Sequence, residues 1–203
     1  MHISEGVLSG PVLASGAILA LAGTGLGLKH IDYDRIVHVA ILAAAFFVAS
    51  LIHVNIGPAS VHLILNGIVG LLLGLAAIPA ILTALLLQAI LFQYGGITTL
   101  GVNVVVMAVP AVLAHYLFLP LIGKSSTLTF LAGFLAGFFS ILFSSILLAL
   151  ALWFTDQNFF ETSLVIITAY IPVMIIEGIV TGFCVAFLLK VYPEIIPKRK
   201  KCK

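Results

Sequence analysis

The chain has 203 residues, of which 63% are hydrophobic and 8% are charged, and its mean hydropathy is +1.31. These fractions lie far outside those of ordinary soluble domains, so the sequence predicts an integral membrane protein and argues against a soluble enzyme. The formal net charge of +2 is too small for a phosphate-binding surface, which argues against a nucleic-acid partner.

Apolar runs broken by charge, glycine or proline predict an all-α bundle of about seven transmembrane helices in a single domain, 1–203. The predicted segments are 7–28, 36–54, 61–78, 80–94, 102–122, 127–153 and 164–190. Only residues 77–79 divide the third segment from the fourth, so a tight helical hairpin is expected there. Residues 1–6 form a separate N-terminal segment, and residues 191–203 form a basic tail.

All nine basic residues fall on one face of a seven-helix topology. They lie in the first loop, in the fifth loop and at the carboxyl end, and they are Lys29, Arg35, Lys124, Lys190, Lys198, Arg199, Lys200, Lys201 and Lys203. By the positive-inside rule this face is cytoplasmic, which places the N-terminus outside the cell. The tail is expected to contact anionic membrane lipids.

The first residues, MHISEG, carry a metal-capable side chain next to the chain terminus. No basic residue precedes Lys29, so no cleavable signal peptide is expected, and the bulky His2 favours retention of Met1. The Met1 amine, the His2 backbone nitrogen and His2 Nδ1 can close a five-membered and a six-membered chelate ring on one metal ion. Nitrogen donors in a plane suit Ni(II) or Cu(II), and one in-plane position is left for a further ligand.

His62 is the candidate for that position, because we predict that it begins a helix after a Gly-Pro turn. Asn66 and Gly70 follow at spacings of four, which would place all three on one helix face. The alternative for His62 is an interfacial side chain satisfied by water or a carbonyl. His53 and Asn66 are candidates for the shell around the ligands. Structural roles are expected for the remaining histidines, His30, His38 and His115.

Polar residues inside the apolar segments need partners. Glu177 lies in the middle of the seventh segment, and two interpretations remain open for it. It could carry charge along an ion path, or it could fix helix packing by hydrogen bonding to Asn66, Gln88 or Asn103. We favour the second, and we assign Gln88, Asn103 and Glu177 to structural roles inside the membrane.

No motif predicts catalysis or ATP binding in this chain. The fragment GKS at 123–125 has Phe118 where a phosphate-binding loop has its first glycine, and no HExxH pair occurs. Any ATP-driven energy must therefore come from another polypeptide.

Four sequence blocks together resemble a known family. They are MHISEG at 1–6, GPASVHLILNG at 57–67, LLLQAILFQYGGITTLGVN at 85–103 and IPVMIIEGIVTG at 171–182. They are similar to the membrane substrate-binding subunit of energy-coupling-factor (ECF) nickel and cobalt uptake transporters, the CbiM/NikM type. The chain departs from the commoner form at Ser4, where proline is frequent, and in the turn at 57–59.

The resemblance implies a function and a ligand set. Ni(II) or Co(II) would be the transported substrate, held by the Met1 amine, the backbone nitrogen and imidazole of His2, and His62. The partners would be a transmembrane coupling subunit, two cytoplasmic ATPases and often a small accessory membrane protein, in a prokaryotic cell membrane. The chain itself would not be an enzyme.

A second functional class remains open at this stage. A stand-alone divalent-cation channel or a proton-coupled carrier would place Glu177 on the pathway. Such a protein would conduct ions in liposomes from this chain alone and without ATP.

Overall fold

The computed structural model describes residues 1–51, 53–56 and 59–197, with the backbone alone for 53–56 and 59–61. This part of the chain folds into seven α-helices and one antiparallel two-stranded hairpin. The helices are α1 (Gly10–Lys29), α2 (Ile36–Ala49), α3 (Asn66–Leu73), α4 (Ala77–Phe92), α5 (Leu100–Phe118), α6 (Ser126–Thr155) and α7 (Phe160–Val191), and the strands are β1 (His53–Ile56) and β2 (Ala59–His62).

The prediction of a helical membrane bundle is confirmed. Five stretches of the described chain are long and apolar enough to cross a membrane. They are Gly10–Lys29, Asn66–Phe92, Leu100–Leu121, Ser126–Thr155 and Gln157–Val191. Because α2 has only 14 residues and α3 only eight, the count of seven crossings stays a prediction, as does the orientation of the two termini.

The chain between α2 and α3 differs from the predicted helices. Helix α2 ends at Ala49, and residues 53–56 and 59–62 pair as strands with His53 opposite His62, so the predicted segments 36–54 and 61–78 are wrong at these ends. His62 ends a strand and does not begin a helix, so the helical face predicted for His62, Asn66 and Gly70 does not form. Leu65, in the left-handed conformation at φ 62°, separates the strand from α3.

The break between α3 and α4 also lies earlier than predicted. Gly74, at φ 57°, opens one turn of 3₁₀ helix after Leu73, and α4 then runs from Ala77 through Pro79. Pro79 lies in the first turn of α4, where backbone N–H groups have no partner within the helix, so its missing N–H costs no hydrogen bond. The break between α3 and α4 is therefore made by Gly74, which tolerates positive φ, and not by Pro79.

Helix α3 lies in the interior of the bundle, with α5 and α6 against it. Gly67 and Gly70 make this packing possible, because a β-carbon on Gly67 would lie 2.5 Å from the Gly137 Cα and one on Gly70 would lie 2.0 Å from the Ala111 oxygen. Backbone therefore packs directly on backbone, as small residues allow in membrane helices. Gly137 and Gly133 play the same part between α6 and α7.

Substitution of Gly70 by alanine is expected to destabilise the protein by about 2–3 kcal/mol, because the new methyl group must displace the α5 backbone. Thermal unfolding of the purified protein in detergent would measure the loss. Gly25→Ala in α1 is the matched control, since no atom lies within 4 Å of its β-carbon position. Equal melting temperatures for the Gly70 and Gly25 variants would contradict this packing.

The ends of α1, α5 and α7 meet at one end of the bundle. Arg35, after α1, donates a hydrogen bond to the Ile195 carbonyl after α7. A cavity of about 720 Å³ opens beside this contact, and His30, His38 and His115 contribute to its lining. Part of the predicted basic face is thus assembled at one end, and residues 198–203 of the tail lie outside the described chain.

Candidate metal centre

The first residues of the chain enter the bundle at the end opposite this cavity. Met1 and Ile3 are fully buried, and His2 is 4% exposed. Asn103 of α5 holds the backbone of Ile3 from both sides: its Oδ1 accepts the Ile3 N–H at 2.9 Å, and its Nδ2 donates to the Ile3 carbonyl at 3.2 Å. Asn103 thus pairs with the segment as a neighbouring strand would, a role that the sequence analysis missed.

Met1, His2 and His62 lie together, although 60 residues separate the two histidines. His62 Nε2 lies within hydrogen-bonding distance of the Met1 amine and 3.1 Å from His2 Nδ1. The two imidazole ring centroids are 4.8 Å apart. The structure therefore brings together the three residues that sequence analysis proposed as metal ligands.

Hydrogen bonds on the far side of each ring determine which nitrogen carries the proton. His62 Nδ1 lies 2.8 Å from the Leu63 carbonyl, and His2 Nε2 lies 2.7 Å from Gln88 Oε1. Both of these oxygens only accept, so His62 Nδ1 and His2 Nε2 are the donors. In the neutral rings, the lone pairs of His62 Nε2 and His2 Nδ1 therefore face each other across the cluster.

The orientation of the Gln88 amide is itself fixed. Gln88 Nε2 donates to the Phe47 carbonyl at 3.2 Å and to the Ser50 hydroxyl, which leaves Oε1 directed at His2. Gln88 was assigned a structural role from sequence, and its contact with His2 was missed. A glutamine in an otherwise apolar helix indicates that a hydrogen-bond partner exists, but the sequence could not identify His2, which lies 86 residues away.

Gln88→Ala is expected to weaken metal binding by about 10–100-fold, the usual effect of removing a group that orients a histidine ligand. Isothermal titration of the purified protein with Ni(II) would measure the change. Thr83→Ala in the same helix is the control, since the hydroxyl contacts the carbonyl of Pro79 in the same helix at 2.9 Å. Unchanged affinity in the Gln88 variant would exclude a role for this amide in orienting His2.

The loop between α4 and α5 packs against the N-terminal segment. The ring centroid of Tyr94 is 6.3 Å from that of His2. Gly95, at φ 76°, leaves no space for a β-carbon, which would lie 2.7 Å from Asn103 Nδ2. Glu5 Oε1 accepts hydrogen bonds from the backbone N–H and hydroxyl of Thr98 at 3.1 and 3.2 Å, and these bonds lower the pKa of Glu5.

Burial changes the protonation of the chain terminus. The Met1 amine is enclosed by protein, and the loss of solvation lowers its pKa well below the usual value. A lower pKa increases the fraction of neutral amine at a given pH. Only the neutral amine has a lone pair to offer a cation, so burial favours this group as a ligand.

The other predicted residues, Asn66, His53 and Glu177, make no described hydrogen bond to Met1 or His2. The Asn66 side chain donates to the Ser144 hydroxyl at 3.2 Å. His53 pairs with His62 through the strand register, but its side chain lies outside the described part of the structure. Glu177 was expected to contact Asn66, Gln88 or Asn103, and its described hydrogen bonds instead come from the Ile64 and Leu65 N–H groups. These backbone N–H groups directly precede α3 and occupy the carboxyl oxygen that was expected to bond to an amide side chain.

The donors that converge here are all nitrogens. Bonds of about 2.0–2.1 Å, the length that zinc makes to imidazole, would place two nitrogen donors at a right angle about 2.9 Å apart. The 3.1 Å between His62 Nε2 and His2 Nδ1 is close to that spacing. No group of three or more His, Cys, Asp or Glu side chains suited to a metal occurs among the described residues.

Residues 2–195 match the CbiM family, described as the cobalt uptake substrate-specific transmembrane region. The chain belongs to the CbiM family. The resemblance found in the sequence blocks is thereby confirmed, and the chain is a multi-pass membrane protein.

Two curated relatives cover almost the whole chain. A Haemophilus influenzae protein whose name assigns it provisionally to metal transport is 44% identical over 97% of each chain. A cobalt transport protein CbiM of Kyrpidia tusciae is 30% identical over 98% of this chain and 87% of its own length. Nearly the whole chain therefore corresponds to relatives of similar length.

A solved structure supports the same conclusion about the fold. The crystal structure of a transition metal transporter superposes with a TM-score of 0.80 and 25% sequence identity. The match covers 94% of this chain and 93% of the other. The CbiM fold described here is thus shared by a protein that handles transition metals.

Proposed function

We propose that this CbiM protein captures Ni(II) or Co(II) outside the cell and delivers it for ATP-driven uptake across the cell membrane. The observation that carries the proposal is the convergence of the Met1 amine, His2 Nδ1 and His62 Nε2 at one buried point. The His2 backbone nitrogen would complete a planar set of four donors. His62 Nε2 would then supply the fourth donor, because it lies close both to the Met1 amine and to His2 Nδ1.

The chemistry of the donors supports a late first-row metal. Nickel, cobalt and copper accept amine, imidazole and deprotonated amide nitrogens, whereas Mg²⁺ and Ca²⁺ require oxygen ligands. His62 Nε2 and His2 Nδ1 lie 3.1 Å apart, and the Met1 amine lies beside His62 Nε2. A divalent metal bound among them would bond to both rings and to the amine.

The assembly proposed for this chain follows the energy-coupling-factor type. The sequence carries no phosphate-binding loop, so ATP hydrolysis would belong to two cytoplasmic ATPases joined through a transmembrane coupling subunit. A small accessory membrane protein would often accompany them. In this arrangement the chain is the substrate-specificity subunit and the metal is its substrate.

Metal binding by the purified chain tests this function. Protein with its native start, in detergent and without partners, is expected to bind one Ni(II) or Co(II) and to show the visible absorption of a planar nitrogen complex with Ni(II). Reconstituted alone in liposomes, it is expected to give no metal flux. Absence of binding would overturn the proposal, and flux without ATP would favour a channel or carrier.

A further inference from the structure

The backbone that carries His62 passes through a short connection before α3. Strand β2 ends at His62, α3 begins at Asn66, and Leu65 takes a left-handed conformation between them. Residues with a β-carbon rarely adopt this conformation, so the surroundings must hold it. Ile64 in this connection is fully buried and Leu65 is partly buried, so N–H groups left unpaired there would be costly.

Glu177 supplies the acceptor for this connection. It is fully buried on α7, more than 110 residues away in sequence, and its Oε1 accepts hydrogen bonds from the Ile64 N–H and, at 2.7 Å, from the Leu65 N–H. Leu65 is the N-cap residue of α3, and in a capping box its N–H would bond to a side chain at the third helical position. Here a carboxyl group from α7 accepts that N–H and the one before it.

The hydrogen bonds of Glu177 and of His62 meet on one peptide group. The Leu63 carbonyl and the Ile64 N–H belong to the same planar amide, so neither can turn without the other. The carbonyl accepts the His62 Nδ1 proton at 2.8 Å, and the N–H donates to Glu177. The carboxylate thus fixes the plane of the peptide, and the peptide fixes the rotation of the imidazole.

We propose that Glu177 is a positioning residue for His62, acting through the Leu63–Ile64 peptide group to direct Nε2 at a divalent transition metal. The inference rests on the proposed function, because it assigns a task only if His62 binds metal. Metal-binding histidines commonly donate their second ring N–H to a carboxylate or a carbonyl. In this protein a peptide group stands between the carboxylate and the ring, and hydrogen bonds in series strengthen one another.

The experiment compares three substitutions at this position. Glu177→Gln keeps an oxygen that can accept both N–H groups, Glu177→Asp keeps the carboxyl group but is one methylene group too short, and Glu177→Ala removes the acceptor. Thr181→Ala is the matched control, because Thr181 is equally buried one turn further along α7 and its hydroxyl has no partner among the described residues. Ni(II) alone is titrated into each purified protein, and its affinity and visible absorption spectrum are recorded.

The Ala and Asp variants are expected to bind Ni(II) about 10–100-fold more weakly and with an altered spectrum, which is the usual effect of losing a group that orients a metal ligand. The Gln variant is expected to keep the wild-type spectrum and to stay within a few-fold of its affinity, and the Thr181 variant is expected to match wild type. A purely structural role would change the yield or the melting temperature but not the spectrum of the bound metal.

Wild-type affinity and spectrum in the Asp variant would overturn the inference, even if the Ala variant failed to fold. A loss in Thr181→Ala as large as that in Glu177→Asp would overturn it too, since it would reflect packing of α7. His62→Ala, measured in parallel, separates the ligand role of His62 from the positioning role of Glu177. If His62→Ala binds Ni(II) as wild type does, His62 is not a ligand and the positioning role fails with it, while metal capture by the protein stands. If His62→Ala does not bind and Glu177→Asp binds as wild type does, only the positioning role fails, and absence of binding by the wild-type protein is the result that overturns the proposed function.

Discussion

Two residues added before Met1 are expected to abolish near-stoichiometric Ni(II) binding, with an affinity loss greater than about 100-fold. The extension converts the amine into an amide, which is a poor donor, and it forces extra chain into a space where Met1 is fully buried. Removal of a group that orients a metal ligand lowers metal affinity by about 10–100-fold, so removal of a chelating ligand should lower it further. Metal content and titration of the purified protein would measure the effect.

The extension can be made its own control. If the added residues are released by a protease that leaves Met1 as the first residue, binding should return in the same sample. The same two residues placed after Lys203 should have no effect. Equal binding before and after cleavage would show that the amine is not a ligand, and the role of the chain terminus would have to be abandoned.

His62→Ala is expected to reduce Ni(II) affinity by a similar factor, more than about 100-fold, because it removes the only ligand proposed from outside the first two residues. Water would take the place of His62 beside the remaining three donors, and water is a weaker ligand than imidazole for Ni(II). The visible spectrum should therefore change along with the affinity. Titration followed by absorption would record both changes in one experiment.

His115→Ala is the matched control for this substitution. The His115 ring also donates its Nδ1 proton to a backbone carbonyl, that of Leu71 at 3.0 Å, but it lies at the opposite end of α3. It should bind Ni(II) within a few-fold of wild type. If His62→Ala retained the wild-type affinity and spectrum, another donor would occupy the fourth position, and His53 would be the next residue to substitute.

Two residues of the proposed site, Met1 and His2, could be predicted from sequence because their chemistry is local, whereas the helical face predicted for His62 does not form. Met1 and His2 are adjacent, so their chelate rings follow from covalent geometry alone. The partners of the site could not be found in this way. Gln88 contacts His2 across 86 residues and Asn103 contacts Ile3 across 100, and the sequence shows only that polar groups in apolar helices need partners.

The errors in the fold lie where short apolar runs are ambiguous. Residues 53–62 carry valine, isoleucine and histidine without a clear period, and a run of this length fits a strand as well as the end of a helix. The strand is favoured by pairing within the hairpin and by Glu177, which takes the Ile64 and Leu65 N–H groups. That carboxylate comes from α7, so local sequence could not reveal where α3 begins.

The glycine contacts of α3 have a consequence for the exchange of a bound metal. Helix α3, which follows the strand that carries His62, packs so closely on α5 that not even a methyl group fits beside Gly70. The first residues precede every helix, and side chains of the α4–α5 loop and α5 bond to them, Asn103 to Ile3 and Thr98 to Glu5. Terminal segments open at lower free energy than packed helices. We therefore expect dissociation to begin with departure of the chain terminus, whose rate would set the residence time of the ion.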